Sequence, residues 1–257
     1  MAQFDSIPLW VIVLGLVVGL SVVIELGYQL GKRVAKERGL SKHPVEPAVC
    51  GALLGLMAFM MAFTFGAAVT RYAKTRALAI ADANVAGSLS LVADTLPETH
   101  GPSVRKLVRE YVEIRAAAVR DQDLEKSKVA LARSTEIQRE LWQIGNEVRG
   151  ISEGVSPRLY TNAVLKLIEN DTARQTTALY SRLPGIVWIM LGFLAVLANG
   201  VLGLSAGLHG RRSRLVATVF IVAYAFVFVL IVDLDRPIRS LFRQGDPAAA
   251  HILERMF

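Results

Sequence analysis

The sequence predicts an all-α membrane protein: four transmembrane helices in two pairs, with an extramembrane helical bundle between spans 2 and 3. Three observations carry that reading. Hydrophobic residues make up 53% of the 257 and charged residues only 20%, against roughly 45–50% and about 25% in an ordinary soluble domain. Four stretches, Ser6–Ile24, Pro47–Thr70, Leu183–Leu208 and Leu215–Val232, contain no Asp, Glu, Lys or Arg, and a bilayer-spanning helix needs about 20 mostly apolar residues. Between the second and third stretch, residues 71–182 hold 17 Lys/Arg and 14 Asp/Glu, with apolar residues at helical spacing and no strand-like alternation. A soluble enzyme, a disulfide scaffold and a nucleic-acid binder are set aside.

The first span covers about residues 7–30. Met1–Pro8 carries Asp5 and no basic residue, and no small-x-small cleavage site follows, so the segment reads as a retained span rather than a signal peptide. Gly31–Glu46 joins it to a second span at about 48–70, whose start is flanked by Pro44 and Pro47; residues 1–70 thus read as a transmembrane hairpin. Residues 71–182 form the bundle. Leu96-Pro97 stops a helix continuing from the second span, and Pro102 suits the start of the next. Leu107, Tyr111, Ile114 and Ala118 then mark one helix face, as do Leu141, Ile144 and Val148, and later Val164, Leu167 and Ile168. Gly150–Ser156 reads as a loop and Pro157 opens the last long helix. At Leu183-Pro184-Gly185 the chain re-enters the bilayer for spans at about 184–208 and 215–233, the second pair (183–235), and 236–257 is a tail.

The formal charge of +7 and the pI near 9.7 would suggest nucleic acid in a soluble protein. Here the cations gather where apolar runs stop, as helix-end anchors do. Lys32, Arg33, Lys36, Arg38 and Lys42 follow the first span, and Arg211, Arg212 and Arg214 separate the last two. The opposite side has as many near span ends: Arg71, Lys74, Arg76, Arg174, Arg182, Arg236, Arg239 and Arg243. The flanks of the first helix favour the N-terminus, bundle and tail outside the cytoplasm, while the even count leaves orientation open. Cys50 is the lone cysteine, within the second span, so no intrachain disulfide forms.

The second span is the most patterned. Gly51, Gly55, Ala58, Ala62 and Gly66 recur every three or four residues. Such a stripe lets helix backbones approach closely, either against the first span or between subunits. Another face carries Leu56, Phe59, Phe63 and Thr70, with Met57, Met60 and Met61 alongside; in an oligomer it would form an apolar constriction, and otherwise it faces lipid or core. Polar groups in spans are costly. Glu25 reads as snorkelling to the interface, and Asn199 as an interhelical hydrogen-bonder. Asp233 and Asp235 cannot share one helix face, so a metal pair on a regular helix is set aside, and Asp233-Leu234-Asp235-Arg236-Pro237 reads as a local charge cluster or, functionally, as an ion-coordinating or subunit-locking elbow. No cofactor or metal motif and no catalytic signature is present. His43, His100, His209 and His251 are isolated, each reading as a solvated loop or tail residue, and turn formation accounts for Asp94, Glu98 and His100. An enzyme would need a buried pocket near Asp82, Asn84 and Asp94.

Several motifs together resemble the bestrophin-like domain family of bacterial and plant membrane proteins. They are Phe63-Thr-Phe-Gly-Ala-Ala68 running into Arg71-Tyr72, Asp82-Ala83-Asn84, Ala93-Asp94-Thr95-Leu96-Pro97, Arg109-Glu110-Tyr111-Val112, Leu183-Pro184 and Asp233-Leu234-Asp235-Arg236-Pro237. The last is the most specific, and Asp82 departs from the Glu of the family pattern. The resemblance covers nearly the whole chain. It implies a distant likeness to bestrophins, pentameric chloride channels in which the second span lines the pore with apolar rings. By that likeness the chain is a homo-oligomeric, anion-conducting channel of a bacterial plasma membrane, with Leu56, Phe59, Phe63 and Thr70 lining the pore. Arg71, Lys74 and Arg76 at its mouth would attract anions. The likeness also places the bundle in the cytoplasm and, lacking an acidic calcium clasp, implies no calcium gating. The other reading is a non-conducting membrane anchor whose bundle binds a partner.

Overall fold

The computed structural model describes residues 7–38, 47–121, 124–151, 155–180, 183–210 and 214–236. Every regular element among them is helical: α1 (Leu9–Arg38), α2 (Pro47–Ala93), α3 (Gly101–Asp121), α4 (Leu124–Ile151), α5 (Val155–Tyr180), α6 (Gly185–Leu208) and α7 (Arg214–Asp235). α1, α2, α6 and α7 are long and apolar enough to cross a membrane. The chain divides into two compact units: residues up to Thr70 with Leu183–Arg236, and Arg71–Arg182. α2 contributes to both. Its 47 residues extend about 70 Å at 1.5 Å per residue, more than twice the ~30 Å hydrocarbon layer. The charge-free part ends at Thr70, so we take the membrane span of α2 to end there.

In the first unit the closest helix approach is between α1 and α6, and glycine makes it possible. A Cβ built on Gly203 would lie 2.2 Å from the Ile24 carbonyl oxygen, and one on Gly207 2.2 Å from that of Tyr28. From the other side, a Cβ on Gly27 would meet the Gly200 oxygen at 2.4 Å and one on Gly31 the Leu204 oxygen at 2.3 Å. The paired numbers rise together, so α1 and α6 run parallel. Without a hydrophobic drive between spans, such backbone contact is what holds them. Around this seam Leu20 of α1, Met57 and Met61 of α2, Leu191 and Leu194 of α6 and Ile221 and Tyr224 of α7 form one core. Tyr224 donates to the Leu191 carbonyl at 3.3 Å, and Trp188 meets Phe228 edge-on at 5.5 Å.

The second unit is an up-down bundle of the C-terminal part of α2 with α3, α4 and α5. Its stripes follow a heptad-like spacing. Ala86, Leu89 and Ala93 of α2, Val104, Val108 and Tyr111 of α3, Ile137, Leu141 and Val148 of α4, and Tyr160, Val164 and Leu167 of α5 are buried together. Gly145 leaves room for the Tyr160 ring, whose Cε1 would lie 3.1 Å from an added Cβ, and the Tyr160 hydroxyl donates to the Leu141 carbonyl at 2.7 Å.

Several local expectations need correcting. Of the expected α3 stripe Tyr111 is buried, but Val104 and Val108 are buried with it, while Leu107 and Ile114 flank the core, half-buried. Of the expected 150–156 loop, Gly150 and Ile151 still belong to α4 and Val155 and Ser156 already to α5, while 152–154 lie outside the described residues. Pro157 sits within the first turn of α5 rather than opening it. α3 is described to Asp121 and α4 from Leu124, with residues 122–123 outside the described ones. Asn199 bonds not across helices but to its own, its Nδ2 donating to the Ala195 carbonyl at 2.8 Å. Pro237 and the 237–257 tail lie outside the described residues, as do Lys42, His43, Arg211, Arg212 and His251.

Candidate functional site

Within the first unit, the span of α2 has a sharply divided circumference. Met57, Met61, Thr64 and Ala68, spaced i, i+4, i+7 and i+11, are buried, and the Thr64 hydroxyl is spent on the Met60 carbonyl at 2.7 Å. Opposite them Leu56, Phe59 and Phe63 are 47%, 66% and 68% exposed. Thr70 is exposed beside them and donates to the Gly66 carbonyl at 2.9 Å. About a quarter turn away lie Gly51, Gly55, Ala58, Ala62 and Gly66, all exposed. A Cβ on any of the three glycines would meet nothing within 4 Å. The predicted small-residue stripe therefore does not pack on the first span within one chain. Further along α2, Lys74 and Arg76 are exposed and Arg71 is half-buried.

At the end of α7 the motif residues form a tie internal to the first unit. Asp233 is buried, and its carbonyl accepts the Arg236 backbone N–H at 3.2 Å. The Asp235 carboxylate accepts the backbone N–H of Leu183 at 3.2 Å, fastening the approach to α6. The buried Arg236 guanidinium donates to the Ile7 carbonyl at 2.6 Å, holding the entry to α1. Three membrane helices thus meet at one short acidic–basic turn. Among the described residues no group of His, Cys, Asp and Glu could hold a metal ion.

In the second unit the structure assembles a buried polar cluster. Asp82 of α2 accepts the Tyr111 hydroxyl at 3.0 Å and 3.2 Å on its two oxygens and Arg174 of α5 at 3.4 Å. Arg115 of α3 pairs with Asp171 of α5 and lies 3.7 Å from Asp82. Asp171 also accepts Gln138 of α4 at 2.8 Å and Gln175 at 3.0 Å. Two carboxylates and two guanidiniums balance in charge, as buried ions require. Burial pushes the Asp82 carboxyl above its ordinary value, against the pull of Arg115, Arg174 and Tyr111 and with a further push from Asp171. Burial also pushes the Tyr111 hydroxyl up, so it stays a donor.

The three residues around which an enzyme would need its pocket are not brought together. Asp82 is buried, Asn84 is exposed, and Asp94 is exposed and ion-paired with Arg105. Pro97 sits in the exposed turn beyond α2, where its carbonyl accepts the His100 and Gly101 N–H groups at 2.9 Å and 3.0 Å. His100 is not a solvated loop residue: its Nδ1 lies 2.7 Å from the Thr99 hydroxyl and its Nε2 3.4 Å from Glu147 of α4.

Sequence reading missed Arg115, Gln138, Asp171 and Gln175. The signal was available: Arg115 follows Val104, Val108 and Tyr111 at core spacing, and Asp171 follows Tyr160, Val164 and Leu167 the same way. Charges at core positions of two helices imply each other. It also missed the Gly27-x-x-x-Gly31 and Gly203-x-x-x-Gly207 pairs that make the α1–α6 seam.

No curated protein and no solved structure matches the chain. The Bestrophin-like domain model matches residues 18–243, from within α1 to past the Asp233–Arg236 turn. An all-helical multi-pass chain matched over most of its length on those terms belongs to the Bestrophin-like domain family.

Proposed function

We propose that this chain is a homo-oligomeric ion channel, anion-conducting and pentameric by its family likeness, with α2 lining the pore. The observation that carries this reading is the divided circumference of α2. One side of the span is buried in its own unit, and the other presents a bulky stripe and a small stripe side by side. In a ring of copies the small stripe suits close approach of a neighbour. The Phe59 and Phe63 stripe then faces the axis as an apolar constriction of the kind that gates by dewetting. Lys74 follows Phe63 by three helical turns on the same side of α2. With Arg71 and Arg76 it gives the end of the span a positive potential that concentrates anions.

Planar-bilayer recording from the purified oligomer tests this. Anion-selective conductance is expected, enlarged in Phe59→Ala and Phe63→Ala and turned toward cations in Lys74→Glu. An oligomer that conducts nothing would return the protein to the second reading, a membrane-anchored interaction protein. A cation preference that survives Arg71→Ala would sink the anion version.

A further inference from the structure

We propose that the Asp82 carboxyl is a proton-binding site of the second unit, whose occupancy decides whether α2 is tied by charge to α3 and α5. The two acids of the buried cluster are held unequally. Asp171 accepts hydrogen bonds from three side chains, Arg115, Gln138 and Gln175, with Arg115 in direct ion pairing. Asp82 faces Tyr111 and Arg115 on α3 and Arg174 on α5, with the two guanidiniums at 3.7 Å and 3.4 Å. A second carboxylate beside the shared Arg115 disfavours the ionised form of Asp82, whose own hydrogen bonds are few and long. The direction in which burial moves Asp82 agrees. Asp82 and Asp171 side chains are 6% and 1% exposed, whereas Arg174 and Arg115 keep 17% and 12% of theirs in solvent. The cluster thus meets water through its guanidiniums rather than its carboxylates.

The step balances simply. One proton from water binds an Asp82 oxygen, and the cluster passes from neutral to a net charge of about +1. Arg174 loses this carboxylate, while Arg115 keeps Asp171. The ties among α3, α4 and α5 run through Asp171 and persist; those of α2 run through Asp82 and pass from ionic to neutral hydrogen bonds. Because the buried Asp82 carboxyl holds its proton more tightly in the closed bundle than it would in an opened one, acidification steadies the second-unit part of α2 and leaves its three partners as they were. This holds whether or not the oligomer conducts.

Amide hydrogen exchange of the full chain in detergent micelles tests the proposal, with α3–α5 in the same sample as reference for the intrinsic pH dependence. Exchange in α2 around Asp82 should slow relative to α3–α5 through one protonation step as pH falls. In Asp82→Asn, which mimics the neutral carboxyl, the α2 segment should already exchange slowly at neutral pH, with no step. Asp171→Asn should keep a step. Equal responses of α2 and α3–α5, or a step that survives Asp82→Asn, would overturn the proposal. Should Asp82→Asn fail to fold, Arg174→Gln decides: a carboxyl robbed of its cation must titrate at higher pH, and an unmoved step refutes the site.

Discussion

The two units of this chain hold helices together by opposite means. In the first, Gly27, Gly31, Gly203 and Gly207 let the backbones of α1 and α6 touch, and bulky residues gather around that seam. In the second, Leu89, Tyr111, Ile137 and Tyr160 fill the middle as large side chains, and a charged cluster closes one level of the bundle. The difference follows the solvent. Lipid tails are as apolar as leucine, so spans gain by close van der Waals fit. Water drives large apolar side chains inward, and the resulting interior holds ions only as neutralised sets.

The largest expected effect breaks the second unit. Asp171→Ala removes the carboxylate that Arg115, Gln138 and Gln175 share, leaving a guanidinium buried beside the remaining Asp82. Breaking a buried pair from one side costs about 3–5 kcal/mol. Thermal unfolding followed by Trp142 fluorescence, with Trp10 and Trp188 replaced by Phe, should report a loss of that order. Little change would mean that the cluster is solvated and contributes little. The double variant Asp171→Leu with Arg115→Met should recover much of the loss, since it removes both charges.

The same comparison, turned to the first unit, separates two kinds of glycine. Gly203→Val drives a Cβ against the Ile24 carbonyl and should cost about 1–3 kcal/mol or more through overpacking. Gly55→Val meets nothing within 4 Å in one chain and should leave the monomer's thermal stability in detergent within about 0.5 kcal/mol. Size-exclusion chromatography coupled to light scattering should nonetheless show its oligomer weakened, if the open stripe is where copies meet. Equal losses of monomer stability in both variants would erase the distinction between the filled and the open stripe.

The four membrane-length helices are legible in the sequence because each contains a charge-free run of 18 or more residues, which few helices outside a bilayer can sustain. Helix existence in residues 71–182 is equally plain. What sequence reading gets wrong is register and pairing. In α3, Ile114 and Ala118 continue the Leu107 spacing without a charge, while the true stripe runs into Arg115 and looks broken. Read alone, a charge ends a core stripe; read beside Asp82 and Asp171 on other helices, it belongs to one. The glycines behave similarly. Gly51-x-x-x-Gly55 and Gly203-x-x-x-Gly207 are the same pattern, and only the fold shows which one is occupied within the chain. Close approach is a property of two helices, and a single-sequence pattern contains one.

The smallest effect lies on the surface of the second unit and sets the scale for the buried charges. Arg133 of α4 meets Glu110 of α3 at 2.7 Å, Glu136 at 2.7 Å and Glu140 at 2.9 Å. The Arg133 hydrogen bond holds the Glu110 carboxyl below its ordinary value of 4.5. A carboxyl lowered on folding contributes stability above its unfolded pKa and loses it as pH falls through the folded value. Asp82, raised on folding, works the other way: whatever its proton contributes is present below its unfolded pKa and is lost as pH rises through the folded one. Glu110→Gln should therefore flatten the acid-side loss of stability slightly and leave the neutral plateau almost unchanged. Raising salt to about 1 M, where the screening length falls to about 3 Å, should abolish the Glu110 contribution and spare that of Asp82. If instead salt removes both, the Asp82 cluster is open to ions and the contrast between surface and interior charge in this bundle fails.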